Sequence, residues 1–146
     1  MKNKWVWFLW TVAYAAAFTA NLGYFWWSWD VGALQVLAST LYLAVCVLLF
    51  YRKRKNVFCM RWAVRLSVLT VAAGVLGLLV RVGGPEVSFL MLPALLLAGA
   101  FVTPLYGLLG FFPDFDLCYA AAAALGAAWF LWALYLKRSI TRKNLT

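Results

Sequence analysis

Five long runs of apolar residues, each nearly free of charge, dominate this sequence. They cover residues 5–27, 31–51, 62–80, 89–112 and 117–136. An α-helix rises 1.5 Å per residue, so about 20 apolar residues cross the roughly 30 Å hydrocarbon core of a bilayer. Because 67% of the 146 residues are hydrophobic, too few polar residues remain to cover a soluble domain. The sequence therefore predicts an all-α, polytopic integral membrane helix bundle, with residues 1–146 as one transmembrane domain.

Basic residues flank these runs and predict which side of the membrane each end faces. The 13 Lys and Arg outnumber the 4 Asp and Glu, and they concentrate at the N-terminus, in a basic loop at 52–61 and in a tail at 137–146. Cytoplasmic loops retain Lys and Arg, so we expect the N-terminus and this loop to be cytoplasmic, in the cytoplasmic membrane of a bacterium. The pattern favours the lipid bilayer, and not nucleic acid, as the partner. Four residues are expected to set the topology and to contact lipid headgroups: Arg52, Lys53, Arg54 and Lys55.

The fourth run, residues 89–112, leaves the number of crossings open. If all five runs cross, eight Lys and Arg lie inside and five outside; if the fourth run enters and leaves on the outer side, the count is twelve to one. The charge rule favours the second arrangement, whereas the length of the uncharged run favours a crossing. Proline and glycine predict a broken, hinged helix here, because proline lacks a backbone N–H. The residues concerned are Pro93, Gly99, Pro104 and Gly107. Both five spans and four spans plus a re-entrant segment remain possible at this point.

Small and polar residues predict which helix faces pack together, because helices in lipid associate through close backbone approach and hydrogen bonds. The second run carries a continuous polar edge at steps of four, three and four, formed by Gln35, Ser39, Tyr42 and Cys46. Stripes of small or polar residues follow similar spacings in the other runs: Thr11, Ala15, Thr19 and Gly23 in the first, Ser67, Thr70, Gly74, Gly77 and Arg81 in the third, Gly99, Thr103 and Gly107 in the fourth, and Ala120, Ala124 and Ala128, beside the pair Ala122 and Gly126, in the last.

Polar residues near the outer ends of the first three runs predict a ligand site. One cation, two anions and two amides there are enough to orient a small polar or zwitterionic ligand. With the polar edge of the second run, the predicted ligand-binding residues are Asn21, Asp30, Gln35, Ser39, Tyr42, Arg81 and Glu86. The alternative is that Arg81 only pairs with Glu86 or Asp30, and that the polar edge only packs helices together.

The composition argues against several kinds of chemistry. The chain contains no histidine, which is the commonest metal ligand and the usual proton carrier near neutral pH. Its three cysteines lack CxxC spacing. Asp114 and Asp116 alone supply too few oxygen ligands for a Mg²⁺ or Ca²⁺ site. We therefore expect no metal, no cofactor and no catalytic residues.

Three functions are consistent with these patterns. The leading hypothesis is a transport-related protein, either a carrier or a membrane-embedded binding subunit for a small molecule, that works as a homo-oligomer or with another membrane protein. The alternative is an accessory, immunity or assembly subunit that packs against a larger membrane complex. A lipid-modifying enzyme is the third, and it is the least supported because only Asp114 and Asp116 resemble an interfacial acid pair.

Overall fold

A computed structural model of the chain describes the backbone of residues 2–27, 31–112 and 114–143. These residues form helices joined by short turns, with no strand among them. Five helical stretches are long and apolar enough to cross a membrane, which confirms the predicted all-α bundle of five hydrophobic segments. They are Trp5–Gly23, Ala33–Arg52, Val57–Val82, Gly84–Leu109 and Phe115–Arg138.

Four of the five stretches belong to continuous α-helices. These are α1 (Lys2–Trp27), α2 (Ala33–Arg52), α3 (Val57–Val82) and the last helix in the chain, α6 (Phe115–Lys143). The basic loop is shorter than the sequence suggests, because Asn56 caps α3: its Oδ1 accepts hydrogen bonds from the backbone N–H groups of Phe58 and Cys59 at 2.9 and 3.3 Å. The basic tail, in turn, continues α6 as far as Lys143.

The fourth segment, Gly84–Leu109, is broken into short pieces, as its prolines and glycines predict. In chain order these pieces are a 3-10 helix (Gly84–Leu90), α4 (Met91–Leu97), a π-helix (Ala98–Val102), a second 3-10 helix (Thr103–Leu105) and α5 (Tyr106–Leu109). Such irregular backbone is tolerated at membrane depth only where protein surrounds it. The second 3-10 helix meets this condition, since Thr103, Pro104 and Leu105 are all buried.

The four long helices form two antiparallel pairs. In the first pair, Asn21 of α1 bonds Ser39 of α2. In the second pair, α3 and α6 approach so closely that a Cβ on Gly74 would lie 2.6 Å from the Tyr119 carbonyl oxygen. The α1 and α3 helices start at the same end of the bundle, as the contacts of the Trp7 ring with the rings of Phe58 and Trp62 show. The N-termini of α1 and α3 therefore lie at one end of the bundle with the C-termini of α2 and α6.

We call this end the basic end, because all of the 13 Lys and Arg except Arg81 belong to it. Lys137 near the end of α6 lines the same cavity as Arg54 and Lys55 in the turn between α2 and α3. The other end, which we call the far end, holds Arg81 in an ion pair with Asp116.

The fourth segment starts and finishes at the far end. Met91 lines a cavity there with Arg81. The chain then goes deeper into the bundle, where the Ala100 carbonyl oxygen accepts a hydrogen bond from the Tyr14 hydroxyl. Tyr14 is 13 residues, or about 20 Å along the helix axis, from the end of α1 at Trp27. By Leu109 the chain has returned toward the far end, because the Leu109 carbonyl oxygen accepts a hydrogen bond from the Cys118 thiol in the first turns of α6. The arrangement of the described helices therefore favours the second topology: four helices run between the two ends of the bundle, and the fourth segment starts and finishes at the far end.

One side-chain hydrogen bond compensates for the break in the re-entrant segment. In a regular helix the carbonyl of residue 100 would accept from the N–H of residue 104, but Pro104 has no N–H. The Tyr14 hydroxyl donates to the Ala100 carbonyl oxygen instead, at 2.9 Å. The surrounding backbone widens into the π-helix, in which the Thr103 N–H bonds the Ala98 carbonyl. A tyrosine on α1 thus supplies a donor that the proline removes.

The predicted packing faces are correct for α2 and α3 but not for α1. Gln35, Ser39, Tyr42 and Cys46 are all buried, as are Ser67, Thr70, Gly74 and Gly77. The stripe of Thr11, Ala15, Thr19 and Gly23 is exposed instead, as are Arg81 of α3 and Ala120, Ala124 and Ala128 of α6, whereas the predicted pair Ala122 and Gly126 of α6 is buried. The α1 helix turns its aromatic side inward, where the Trp10 ring contacts Trp62 of α3 and the Tyr14 ring contacts Tyr42 of α2, with ring centroids 5.8 and 6.0 Å apart. These aromatic contacts and the Tyr14 hydrogen bond outweigh the small-residue stripe.

Replacing Tyr14 with Phe should destabilise the bundle by about 1 kcal/mol, because the Ala100 carbonyl then has no donor while the ring packing is kept. Unfolding of the purified protein in mild detergent, followed by heat or denaturant, measures the change. Tyr51→Phe is the matched control, since Tyr51 is half exposed at the end of α2. An equal loss of stability in the two variants would contradict the assigned role of Tyr14.

Candidate functional site

The predicted ligand-binding residues separate into two groups. Asn21, Gln35, Ser39 and Tyr42 are buried on the facing sides of α1 and α2. Arg81 lies at the far end of α3, against α6. Glu86 is exposed in the first 3-10 helix, and Asp30 lies outside the described residues. The structure therefore does not bring Arg81, Asn21 and Gln35 together as one convergent cluster.

The first group holds the returning arm of the re-entrant segment against α1 and α2. The Ser39 Oγ accepts two hydrogen bonds, from Asn21 Nδ2 at 3.1 Å and from the Gly107 backbone N–H at 3.0 Å. Gln35 Nε2 donates to the Ala20 carbonyl oxygen at 3.3 Å, which ties α2 to α1. These bonds join α1, α2 and α5 near one point, so Asn21, Gln35 and Ser39 hold these helices together.

Gly107 acts through close approach. A Cβ at this position would collide with the backbone carbonyl of Gln35. Only glycine therefore lets α5 come near enough to α2 for its N–H to reach Ser39. The other predicted hinge residues lie along the same segment: Pro93 in α4, Gly99 in the π-helix and Pro104 in the second 3-10 helix.

The second group is centred on Arg81. Its Nε donates to Asp116 Oδ1 at 2.6 Å, and its guanidinium lies 5.5 Å from the centre of the Phe115 ring. The alternative expectation, that Arg81 pairs with Glu86 or Asp30, is not what the structure shows for the described residues. Asp116 is the partner of Arg81 because the re-entrant segment brings the start of α6 beside the end of α3. The acid also lies in the first turn of α6, where a negative charge is favourable.

A cavity of about 300 Å³ opens beside this ion pair. We call it the far-end cavity; its walls come from α3, α4 and α6, and they include Gly77, Arg81, Met91, Leu95, Phe115 and Tyr119. Its volume falls at the lower limit for small-molecule pockets, which are mostly apolar with a few placed polar groups. The far-end cavity fits that description, since one guanidinium stands at the edge of an apolar and aromatic wall.

No protein-family model matches this chain, and neither a curated protein nor a solved structure shows significant similarity to it.

Sequence reasoning missed Phe115, Asp116 and Tyr119 as neighbours of Arg81. Arg81 and Asp116 are 35 residues apart, on opposite sides of an apolar run that is long enough to cross a bilayer. A signal was nevertheless present, because the twelve-to-one charge count places both residues on the same side. Under that topology the end of α3 and the start of α6 become neighbours.

Two residues of the basic run that follows α2, Arg54 and Lys55, also line a cavity. Arg52 ends α2, and Lys53 follows as its C-cap residue. Arg54 stacks on the Tyr51 ring at 4.5 Å. This second cavity is also lined by residues of α3 and α6, so the two charges lie beside both helices.

Replacing Ser39 with Ala should destabilise the protein by about 1–3 kcal/mol, because the buried Gly107 N–H then has no acceptor. Thr40→Ala is the matched control: its hydroxyl is exposed and donates only to the Val36 carbonyl of its own helix. Thermal unfolding in mild detergent compares the two variants. Equal melting temperatures for the two would show that Ser39 does not hold the re-entrant segment.

Proposed function

We propose that this protein is a membrane-embedded binding subunit for a small amphiphilic anion, which it takes up in the far-end cavity. The observation that carries the proposal is the position of Arg81 at the edge of an otherwise apolar and aromatic cavity of about 300 Å³. The Arg81–Asp116 bond uses Nε, and a guanidinium has five N–H donors. The ligand's carboxylate or phosphate binds the Nη donors, and its apolar part fills the space beside Phe115 and Tyr119.

The wall of the cavity supports a function in ligand uptake. Met91, Ala94 and Leu95 line it, and all three belong to α4 of the re-entrant segment. Broken helices of this kind form the binding sites of many membrane transporters, because their irregular backbone can rearrange around a ligand. In this protein, movement of α4 would change the shape of the cavity without separating α3 from α6.

The charge distribution orients the protein in this proposal. Twelve basic residues belong to the basic end and only Arg81 to the far end, so the positive-inside rule puts the basic end and the N-terminus in the cytoplasm. The far-end cavity then faces the outer side of a bacterial cytoplasmic membrane. A ligand would enter from outside the cell or from the outer leaflet.

The packing of α3 against α6 favours a binding subunit over a carrier that acts alone. Below the cavity, a Cβ on Gly74 would lie 2.7 Å from the Ala123 backbone nitrogen, and one on Gly126 would lie 2.9 Å from the Val71 nitrogen. This close contact closes the route from the cavity to the basic end along the seam between the two helices. Passage across the membrane would then need another subunit or a second copy of this chain.

The exposed face of α1 favours a second candidate, an accessory or assembly subunit. Thr11, Ala15, Thr19 and Gly23 are all exposed along one side of α1, and a Cβ on Gly23 would meet nothing within 4 Å. Faces of small residues allow a helix of another chain to approach closely. Under this reading a stoichiometric membrane partner copurifies with the protein, and Thr19→Leu abolishes the copurification.

Arg81→Gln should weaken binding of an amphiphilic anion at least about tenfold, because a hydrogen bond to a charged group contributes about 1.5–3 kcal/mol. The probes are aryl and medium-chain alkyl carboxylates with their neutral amides, titrated against the full-length protein in neutral detergent. Ligand-dependent thermal shift and tryptophan fluorescence report binding.

Two controls make this test specific. Arg138→Gln removes the same charge at the basic end and should leave binding unchanged. Leu95→Phe should weaken carboxylates and amides alike, since it fills the apolar part of the cavity. The proposal fails if no carboxylate shifts the melting temperature, or if Arg81→Gln and Arg138→Gln bind the probes equally well.

A further inference from the structure

Five basic side chains surround a second cavity, of about 560 Å³, at the basic end. We call it the basic-end cavity. Arg54 and Lys55 come from the turn between α2 and α3, Arg61 and Arg65 from the first turns of α3, and Lys137 from α6. Arg61 and Arg65 are four residues apart, so they lie on the same face of α3. The start of α3, the turn before it and the distant α6 thus bring their positive charges to one opening.

Among the described residues, no acidic side chain forms an ion pair with Arg54, Lys55, Arg61 or Arg65. Of the four acids in the sequence, Glu86, Asp114 and Asp116 lie at the far end, and Asp116 is already bonded to Arg81. The fourth, Asp30, lies outside the described residues. Lys137 has a further contact of its own. The other four cations around the cavity, Arg54, Lys55, Arg61 and Arg65, repel each other, which favours an anion from outside the chain as the group that balances them.

The cavity also has apolar walls. Val64 and Leu134 line it at about the level of the charges, and Phe130 lies about one turn deeper along α6 than Leu134. Phe130 also lines an adjacent groove between α3 and α6, of about 560 Å³, which reaches Val75 on α3. From Arg65 to Val75 is ten residues, or about 15 Å along the helix axis. That length is about half of the roughly 30 Å hydrocarbon core, the depth of one leaflet.

We propose that the basic-end cavity and this groove bind one anionic phospholipid of the cytoplasmic leaflet. The phosphate lies among Arg54, Lys55, Arg61, Arg65 and Lys137, and one acyl chain leaves the cavity past Phe130 and follows the groove to Val75. A charged rim that leads directly into an apolar groove matches a molecule whose charged head is attached to a long hydrocarbon chain. Inorganic phosphate would satisfy only the rim, and a neutral lipid only the groove. The site is separate from the far-end cavity and does not depend on the function proposed for it.

The test is a lipid titration of the delipidated, full-length protein in neutral detergent, where no anionic membrane surface is present. Native mass spectrometry gives the dissociation constants of phosphatidylglycerol and of phosphatidylcholine with the same acyl chains. We expect phosphatidylglycerol to bind at least about tenfold more tightly than phosphatidylcholine, since each basic residue near an anionic headgroup strengthens the binding of that lipid. We also expect Arg61→Gln/Arg65→Gln to remove that preference while leaving binding of phosphatidylcholine unchanged.

Matched variants separate a built site from general attraction to positive charge. Arg52→Gln/Lys53→Gln removes the same number of charges from neighbouring residues that do not line the cavity, and it should keep the preference. Ala127→Trp fills the groove at an exposed position of α6. It should weaken long-chain phosphatidylglycerol while sparing a short-chain form that does not reach Ala127.

Three results would overturn the proposal. The first is an equal loss of preference in the two double-charge variants, which would show attraction without a site. The second is full competition by inorganic phosphate at millimolar concentration, which would show an anion site that does not require a lipid. The third is unchanged long-chain binding in Ala127→Trp, provided that this variant keeps the melting temperature of the wild type.

Discussion

Every backbone N–H and carbonyl buried in the apolar interior of this protein needs a hydrogen-bond partner, and the re-entrant segment meets this requirement only with help from α1 and α2. Pro104 removes the N–H that would bond the Ala100 carbonyl, and the Tyr14 hydroxyl replaces it. On the returning arm, Ser39 accepts the Gly107 N–H. Because these two side chains satisfy the backbone at the turn, the segment can reverse deep inside the bundle.

The reversal determines the arrangement of the rest of the bundle. It brings the start of α6 back to the end of α3, so the two helices run antiparallel with Gly74 and Gly126 at their contact. It also gathers the basic residues at one end of the bundle and leaves Arg81 with Asp116 at the other. Both cavities with a basic rim lie along the seam between α3 and α6, one at each end. A straight fourth helix would place α6 in the opposite direction and would separate the residues of both cavities.

The sequence predicts the main features of this fold and only part of its sites. Apolar length gives the five segments, and spacing correctly predicts the buried edge from Gln35 to Cys46. The charge rule favours the topology that the structure has. The spacing of small residues fails for Thr11 and Gly23, because the rings of Trp10 and Tyr14 on another side of α1 pack against α3 and α2, and the spacing of small residues does not account for such aromatic contacts. The partner of Arg81 could not be predicted either, since it depends on a turn that polarity patterns alone do not locate.

The side of the membrane on which residues 88 and 114 emerge tests the account most directly. The three native cysteines are buried, whereas Ser88, Asp114 and Arg138 are exposed, so a cysteine introduced at each can be labelled with a membrane-impermeant maleimide in sealed, oriented vesicles. If the fourth segment enters and leaves at the far end, Ser88→Cys and Asp114→Cys are labelled from the same side, and Arg138→Cys is labelled from the opposite side. Labelling of positions 88 and 114 from opposite sides would show that the fourth segment crosses, which would contradict the re-entrant fold and the antiparallel pairing of α3 with α6.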